Sequence, residues 1–349
     1  MSETSSSTRP VRLGIAGMSH GHLNDPMRRP KTSDIEIVGI SETDADIASR
    51  NIERFHIDPS LVYSSLEALI DATHPEVVAA FGSIYDHLSV VEICAPRGIH
   101  VMVEKPLAVS MEHARKMADL AKKYNIQVLT NYATTWFPSN HAVYKMVHDE
   151  KRMGPIRRIV VHDGHEGPAE LGCSPEFLAW LTDPVLNGGG AVIDFGCYGC
   201  NLSTWLMDGK APNTVSAVLL QIKPEIYPKV DDDSTIILTY DKAESVIQGS
   251  WNWPTDRKDM EVYGKTGYAH APDRDVIRYR DSKDVAEKTE TLKPRTAPFN
   301  DAFSWLAGVV RGTVKLDEND LSGLKNNLTV VQILDAARES ARTGKTIKL

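Results

Sequence analysis

Short apolar runs separated by amphipathic stretches dominate the first third of the chain. Val11 to Ala16, Ile35 to Ile40, Val77 to Phe81, His100 to Glu104 and Gln127 to Thr130 each read as a buried strand. Between them Asp44 to Phe55, Tyr85 to Pro96 and Met111 to Asn125 have helical spacing. Ser110 is placed to cap the last of these, with Met111, Ala114, Met117 and Ala121 on one face and Lys122 and Lys123 in the final turn. Gly98 closes the second helix. Strands alternating with helices predict an α/β unit built on a parallel, doubly wound sheet.

The pattern changes near residue 134. After a helix at Ser139 to Asp149, alternating runs predict strands at Arg157 to Asp163, Thr214 to Lys223, Ser234 to Tyr240, Ser245 to Asn252, Met260 to Gly264 and Val276 to Arg280. Their hairpin-like spacing predicts a mainly antiparallel sheet, so this half is α+β. Helices return at Asn300 to Arg311 and Lys325 to Thr343. The expected organisation is a flexible polar head at 1–10, an α/β unit at 11–133 and an α+β unit at 134–349.

Composition narrows the function classes. A chain of 349 residues suffices for two domains. A net charge of −8 argues against a nucleic-acid partner, which needs clustered Lys and Arg. Four cysteines make no disulfide framework at this length and suggest a reducing compartment. No apolar run approaches the roughly 20 residues that span a bilayer, and the head lacks the apolar core of a signal peptide. A cytoplasmic protein without membrane or nucleic-acid partners is expected.

Candidate chemistry collects at a few places. Lys105 stands at a strand end, between Glu104 and Pro106, where open α/β sheets bind ligands. The turn Gly17-Met18-Ser19-His20-Gly21-His22 follows the first strand. Set against G-x-G-x-x-G it keeps the first glycine, with Ser19 and His22 at the other two positions. Pro26 should keep the next helix short. Glu42, after the second strand, suits the adenine ribose hydroxyls, and with no Arg directly behind it NAD is favoured over NADP. His20 and His22 lack an evident third ligand, so no metal is expected and they are read as lining the phosphate turn.

In the second half, Gly188-Gly189-Gly190 runs into Ala191-Val192-Ile193-Asp194-Phe195-Gly196-Cys197-Tyr198-Gly199-Cys200-Asn201. A continuous helix from Ala191 would align Asp194, Tyr198 and Asn201 on one face. That face suits either acid/base chemistry with hydroxyl recognition or a buried polar network. Cys197 and Cys200 read as small helix-packing residues. Trp136, Trp251 and Trp253 suit either sugar faces or a subunit interface, the latter for at least one of the Trp251/Trp253 pair. His162, Asp163, His165 and Glu166 close a strand and are cleft candidates.

Together these residues resemble the Gfo/Idh/MocA oxidoreductase family from Val11 to Leu349. The resemblance rests on Gly17, Glu42, His87, Val103-Glu104-Lys105-Pro106, Gly188-Gly189-Gly190 with Asp194 and Tyr198, Val262 to Gly267, and Ser340 to Gly344. It implies a Rossmann domain followed by an open-faced, mainly antiparallel sheet domain for substrate binding and oligomerisation, as a homodimer or homotetramer. It implies hydride transfer between NAD(P) and a secondary alcohol or ketone of a sugar, sugar derivative or cyclitol. Lys105, Asp194 and Tyr198 match the catalytic residues, with Lys105 expected to favour the Tyr198 phenolate. Gly17, Ser19, His20, His22, Glu42, Gly82, His87, Glu104, Lys105 and Asn131 would contact cofactor. Lys105, Trp136, His165, Asp194, Tyr198 and Asn201 would contact substrate. Departures are Ser19 and His22, Gly82-Ser83-Ile84 where relatives often read Thr-Pro-Asn, and Thr135 where Arg is common. Two other readings share this pattern: an NAD-using glycosidase or lyase acting through transient oxidation, and a non-catalytic dinucleotide sensor.

Overall fold

A computed structural model describes residues 9–29 and 34–349. Most of the expected head therefore lies outside the described residues. The first sheet contains β1 (Val11–Ala16), β2 (Ile35–Ser41), β3 (Val62–Tyr63), β4 (Val77–Ala80), β5 (His100–Glu104) and β6 (Val128–Asn131). All pairings are parallel and the order is β3-β2-β1-β4-β5-β6. The order reverses between β1 and β4, which opens a crevice at the strands' carboxyl ends. Leu13, Ile15, Val77, Val101 and Val103 are buried, each worth roughly 1.5–3 kcal/mol of apolar burial.

Local chemistry sets the helix ends. The Asp44 carboxylate accepts from the Asp46 and Ile47 amides and starts the helix Ala45–Phe55. Ser110 caps Met111–Tyr124, whose Ala114, Met117 and Ala121 face the core. The expectation for this third missed the short β3 and the helix Leu66–Thr73, capped by Ser65. Eight residues between two turns give little periodicity to read.

The second sheet has nine strands: β7 (Ile156–Gly164), β8 (Thr214–Leu220), β9 (Asp233–Thr239), β10 (Glu244–Ser250), β11 (Arg257–Gly264), β12 (Tyr268–Ala271), β13 (Val276–Arg280), β14 (Lys288–Thr291) and β15 (Ile347–Lys348). The order is β14-β13-β12-β11-β7-β10-β9-β8-β15. It is antiparallel except where β10 runs parallel to β7, which makes the sheet mixed. Ile159, Val161, Ile236, Ile247, Met260 and Val262 are buried on one face. The helices Gly196–Leu206 and Leu324–Thr343 cover that face. The other face is open and carries Val218 and Ile237, both exposed.

Two placements bear on the expectations. Trp251 lies just past β10, fully buried, and is a core residue, which leaves the half-buried Trp253 as the interface candidate of the pair. The helix Ala302–Val310 belongs by sequence to the second unit, yet Phe303, Trp305 and Leu306 pack with Val11, Leu13 and Ile40 of the first sheet. Among the described residues no helix is long and apolar enough to cross a membrane.

Candidate active site

Two connected depressions lie at the carboxyl ends of the first sheet. The smaller, about 310 Å³, is a groove lined by Gly17, Ser19, Glu42, Gly82 and His87, among others. Gly17 has φ +83°, and a Cβ there would sit 2.8 Å from the Gly82 nitrogen, so only glycine lets the two turns close. Glu42 accepts from the Met18 amide at 2.8 Å and the Asp44 amide at 3.0 Å, which holds its carboxylate at the groove edge. His87 Nδ1 donates to the Leu107 carbonyl at 3.1 Å, leaving Nε2 buried without a protein partner. Burial lowers this imidazole to about 4, so Nε2 is an acceptor at neutral pH. The glycine cradle, the carboxylate and the unpartnered acceptor fit a dinucleotide. Past the turn the chain makes a short 3₁₀ turn and a helix of only five residues, Asn24–Arg28, as Pro26 foretold.

The larger depression, about 860 Å³, lies between the two sheets and is lined by Lys105, Asp163, His165, Asp194, Tyr198 and Lys258, among others. Lys105 is buried, and its bond to Pro106 is cis. Its ammonium donates to the Asp194 carbonyl at 2.7 Å and to the Asp194 carboxylate. The other Asp194 carboxylate oxygen accepts from Trp251 Nε1 at 2.9 Å. Burial opposes both charges, but each partner outweighs it: Lys105 is held above its ordinary value and Asp194 below.

The triple glycine explains how Asp194 arrives there. Gly190 presses on the Asp231 backbone so closely that a Cβ would lie 1.7 Å from the Asp231 oxygen. The Asp231 carboxylate accepts from the Gly190 and Val192 amides at 2.9 and 2.7 Å and starts the short helix Ala191–Asp194. That helix breaks at Phe195, and a second begins at Gly196. The continuous helix expected from sequence is therefore absent. Asp194 and Tyr198 still reach the cleft, but Asn201 does not. It is fully buried and donates to the Leu321 carbonyl at 2.8 Å, tying its helix to the 321–327 segment.

The two histidines of the turn line the larger cleft, not the groove. His20 packs against Phe177 and Trp180, and its Nδ1 accepts from the His22 amide at 3.0 Å. Burial, then His22, holds it well below its ordinary value, hence neutral. His22 Nδ1 meets Glu104 at 2.8 Å, Glu104 accepts from Asn131 at 2.8 Å, and Asn131 accepts from Trp136 Nε1 at 3.1 Å. Burial would raise the Glu104 carboxyl, but His22, then His20 and Asn131, outweigh it and hold it at about 2. Enclosure would lower His22, but Glu104 raises it overall. Glu104 is the third potential metal ligand the spacing concealed: the three ligand atoms lie within 4.8 Å of one another. Trp136 is thus a support for Asn131, and its ring stacks edge-on against Trp305. His165 lines the cleft and packs edge-on against Phe195 at 4.8 Å.

One expected effect is outweighed. Burial, then Asp163, raises the Tyr198 phenol well above its ordinary value, against the phenolate that Lys105 is expected to favour. The Lys105 ammonium lies 5.1 Å from the Tyr198 ring centroid, and that of Lys258 lies nearer, at 3.8 Å. Lys258 went unread because strand β11 was expected to begin only at Met260. Alternation back from Val262 and Met260 puts Lys258 on the buried face.

Comparison with known proteins gives a consistent result. Residues 11–132 match the family described as "Oxidoreductase family, NAD-binding Rossmann fold", and residues 141–270 match the "GFO/IDH/MocA C-terminal domain". The chain is similar to trans-1,2-dihydrobenzene-1,2-diol dehydrogenase of Xenopus laevis, 26% identical over 88% of this chain and 90% of that protein. It is similar to the scyllo-inositol 2-dehydrogenase (NADP(+)) of Bacillus subtilis (strain 168), 26% identical over 69% of this chain and 70% of that one. Its fold matches an inositol dehydrogenase homolog from Azotobacter vinelandii, solved with NAD+, with TM-score 0.84, 16% identity and full coverage of both chains.

Proposed function

The chain belongs to the Gfo/Idh/MocA family of NAD-binding oxidoreductases, and from that premise we propose that it interconverts a secondary alcohol and ketone on a sugar, sugar derivative or cyclitol. The observation that carries this reading is the meeting of Lys105, Asp194 and Tyr198 in one cleft beside the nucleotide groove. Gly17, Ser19, Glu42, Gly82 and His87 would hold the dinucleotide, with Glu104 and Asn131 behind its reactive end. When bound, the nicotinamide supplies or takes up the hydride. NAD is favoured over NADP because Ser41, Glu42 and Thr43 line the groove, with no Arg or Lys among its described lining residues.

Tyr198 exchanges the proton of the reacting hydroxyl. Burial keeps the phenol protonated, so it holds the proton that carbonyl reduction needs; both donating it and taking it back in oxidation call for a neighbouring positive charge to stabilise the phenolate. The Lys105 ammonium and Asp194 orient and polarise the substrate oxygen. His165 lines the outer cleft as a further hydroxyl contact. Asn201 and Trp136 act on the site indirectly, Trp136 through its hydrogen bond to Asn131 and Asn201 through its tie to Leu321. The relatives' printed substrates, a dihydrodiol and an inositol, support the polyol class.

We propose units at 11–133 and 134–349, with the second lending the helix 302–310 to the first. We assign the open sheet face to a second copy of this chain. Val218 and Leu220 of β8 and Ile237 of β9 lie there together, each more than a third exposed. Four free thiols, three of them buried, suit a cytoplasmic setting.

The test is a panel of sugars and cyclitols with NAD and NADP, followed by reduced-nicotinamide absorbance and product mass. The expected result is net reduction of NAD with a product lighter by two hydrogens, abolished in Tyr198→Phe and Lys105→Met. Cleaved product without net reduction, or undiminished turnover in both variants, overturns the reading.

A further inference from the structure

Lys258 and Asp163 form a second ion pair in the cleft wall that the mechanism above does not use. The Lys258 ammonium donates to both Asp163 oxygens, one of them at 2.6 Å and the other at 2.7 Å. Asp163 is almost wholly buried, while the Lys258 side chain is 30% exposed toward the cleft. The pair arises from register: β11 places Lys258 opposite Asp163 of β7, both on the helix-covered face. A buried ion pair is a costly way to hold two strands that already share a full ladder of backbone bonds. Its position suggests another use.

Resting on the reading of Tyr198 as the proton-exchanging group, we propose that Lys258, anchored by Asp163, is the positioning cation that stabilises the Tyr198 phenolate. The ammonium stands 3.8 Å from the Tyr198 ring centroid and 5.4 Å from that of Phe195. A cation over an aromatic face is attracted to the ring, and more strongly once the ring carries a negative charge. In the reducing direction the Tyr198 O–H bond breaks and its proton goes to the substrate carbonyl oxygen. The carbonyl carbon is reduced, the nicotinamide is oxidised, and the electron pair left on the phenol oxygen is shared into the ring that Lys258 covers. Lys105 is the poorer candidate, being farther from the ring.

The charges around Tyr198 come from every neighbouring element. Asp163 of β7, Asp194 and Cys197 of its own helical segment, and Glu104 of β5 oppose a phenolate. Lys258 of β11 and Lys105 after β5 favour one. Tyr132 packs edge-on at 5.4 Å. Removing Lys258 and removing Asp163 must therefore push Tyr198 in opposite directions. A pair that does not act on the phenol moves it in neither direction.

The experiment is NMR of the full-length protein carrying Cζ-labelled tyrosine. Tyr198 is assigned by its loss in Tyr198→Phe, and its ionisation is followed from about pH 9 to the highest pH at which the protein stays folded. Lys258→Met should lower the Tyr198 phenolate fraction at a given pH by about tenfold, and Asp163→Asn should raise it by about tenfold. Lys258→Arg should stay near wild type. If Lys258→Met does not fold, Asp163→Asn decides by its sign. Shifts in the same direction, or no shift in Asp163→Asn, overturn the proposal. No turnover is needed, so failure here is separate from failure of the proton-exchange reading, which Tyr198→Phe tests by activity.

Discussion

Lys105 gives two of its three ammonium hydrogens to Asp194, one to the main-chain carbonyl and one to the side-chain carboxylate. A residue from the end of one sheet thereby grips the end of a helix that covers the other. The pair joins the two halves at the point where a substrate would enter, so it has both a structural and a chemical consequence.

Lys105→Met should leave the Asp194 carboxylate buried with only the Trp251 indole for support. Breaking a buried pair from one side costs about 3–5 kcal/mol. Urea unfolding should show a loss of that order, and turnover should disappear. The double variant Lys105→Met/Asp194→Asn should recover most of the stability and none of the activity. Recovery of both would detach the pair from catalysis.

Trp251→Phe removes one hydrogen bond to a charged acceptor while keeping most of the ring volume. A bond of this kind contributes roughly 1.5–3 kcal/mol. The unfolding midpoint should fall accordingly. An unchanged midpoint would mean that Lys105 alone holds Asp194.

Glu42→Ala should weaken NADH binding by about tenfold or more and leave NADPH binding little changed, because a carboxylate favours ribose hydroxyls and repels a phosphate. Fluorescence titration with each reduced dinucleotide gives the ratio. Equal weakening of both would assign Glu42 to holding the Met18 turn instead.

Glu104→Gln tests the His22–Glu104 pair by pH. Glu104, held at about 2, contributes stability that is fully present above the ordinary glutamate value and lost as pH falls toward 2. From that shift the contribution is on the order of 3 kcal/mol. His22 is raised, so its contribution is full below the ordinary histidine value and lost as pH rises through its raised value. The wild-type advantage over Glu104→Gln should be largest near about pH 6 and should narrow as pH rises through the raised His22 value. Urea midpoints taken at intervals from about pH 6 upward check this, and a constant gap would rule out a charged His22.

Much of this protein was legible before any coordinates. Apolar runs at strand length, Ser and Asp caps, and helix-closing Gly98 specify the doubly wound sheet because each acts within a few residues of itself. Lys105 and Glu42 were found because strand ends in such a sheet have a defined place. Gly17 was found because its turn must approach another backbone. These are local constraints, and local constraints leave a pattern in the chain.

Tertiary structure alone decided the rest. Whether Asp194 keeps helical register with Tyr198 and Asn201 depended on a helix break at Phe195, which lies between it and them, while Asp231 grips the start of the preceding turn from 41 and 39 residues away. Trp251 became a support of Asp194, and Glu104 the partner of His22, through contacts between segments that no spacing relates. The surroundings of Tyr198 arise the same way. Burial and the charges of Asp163, Asp194, Glu104, Lys105 and Lys258 act on its phenol together, and they come from different strands and helices. An electrostatic field depends on distances in space, and the sequence alone determines only distances along the chain.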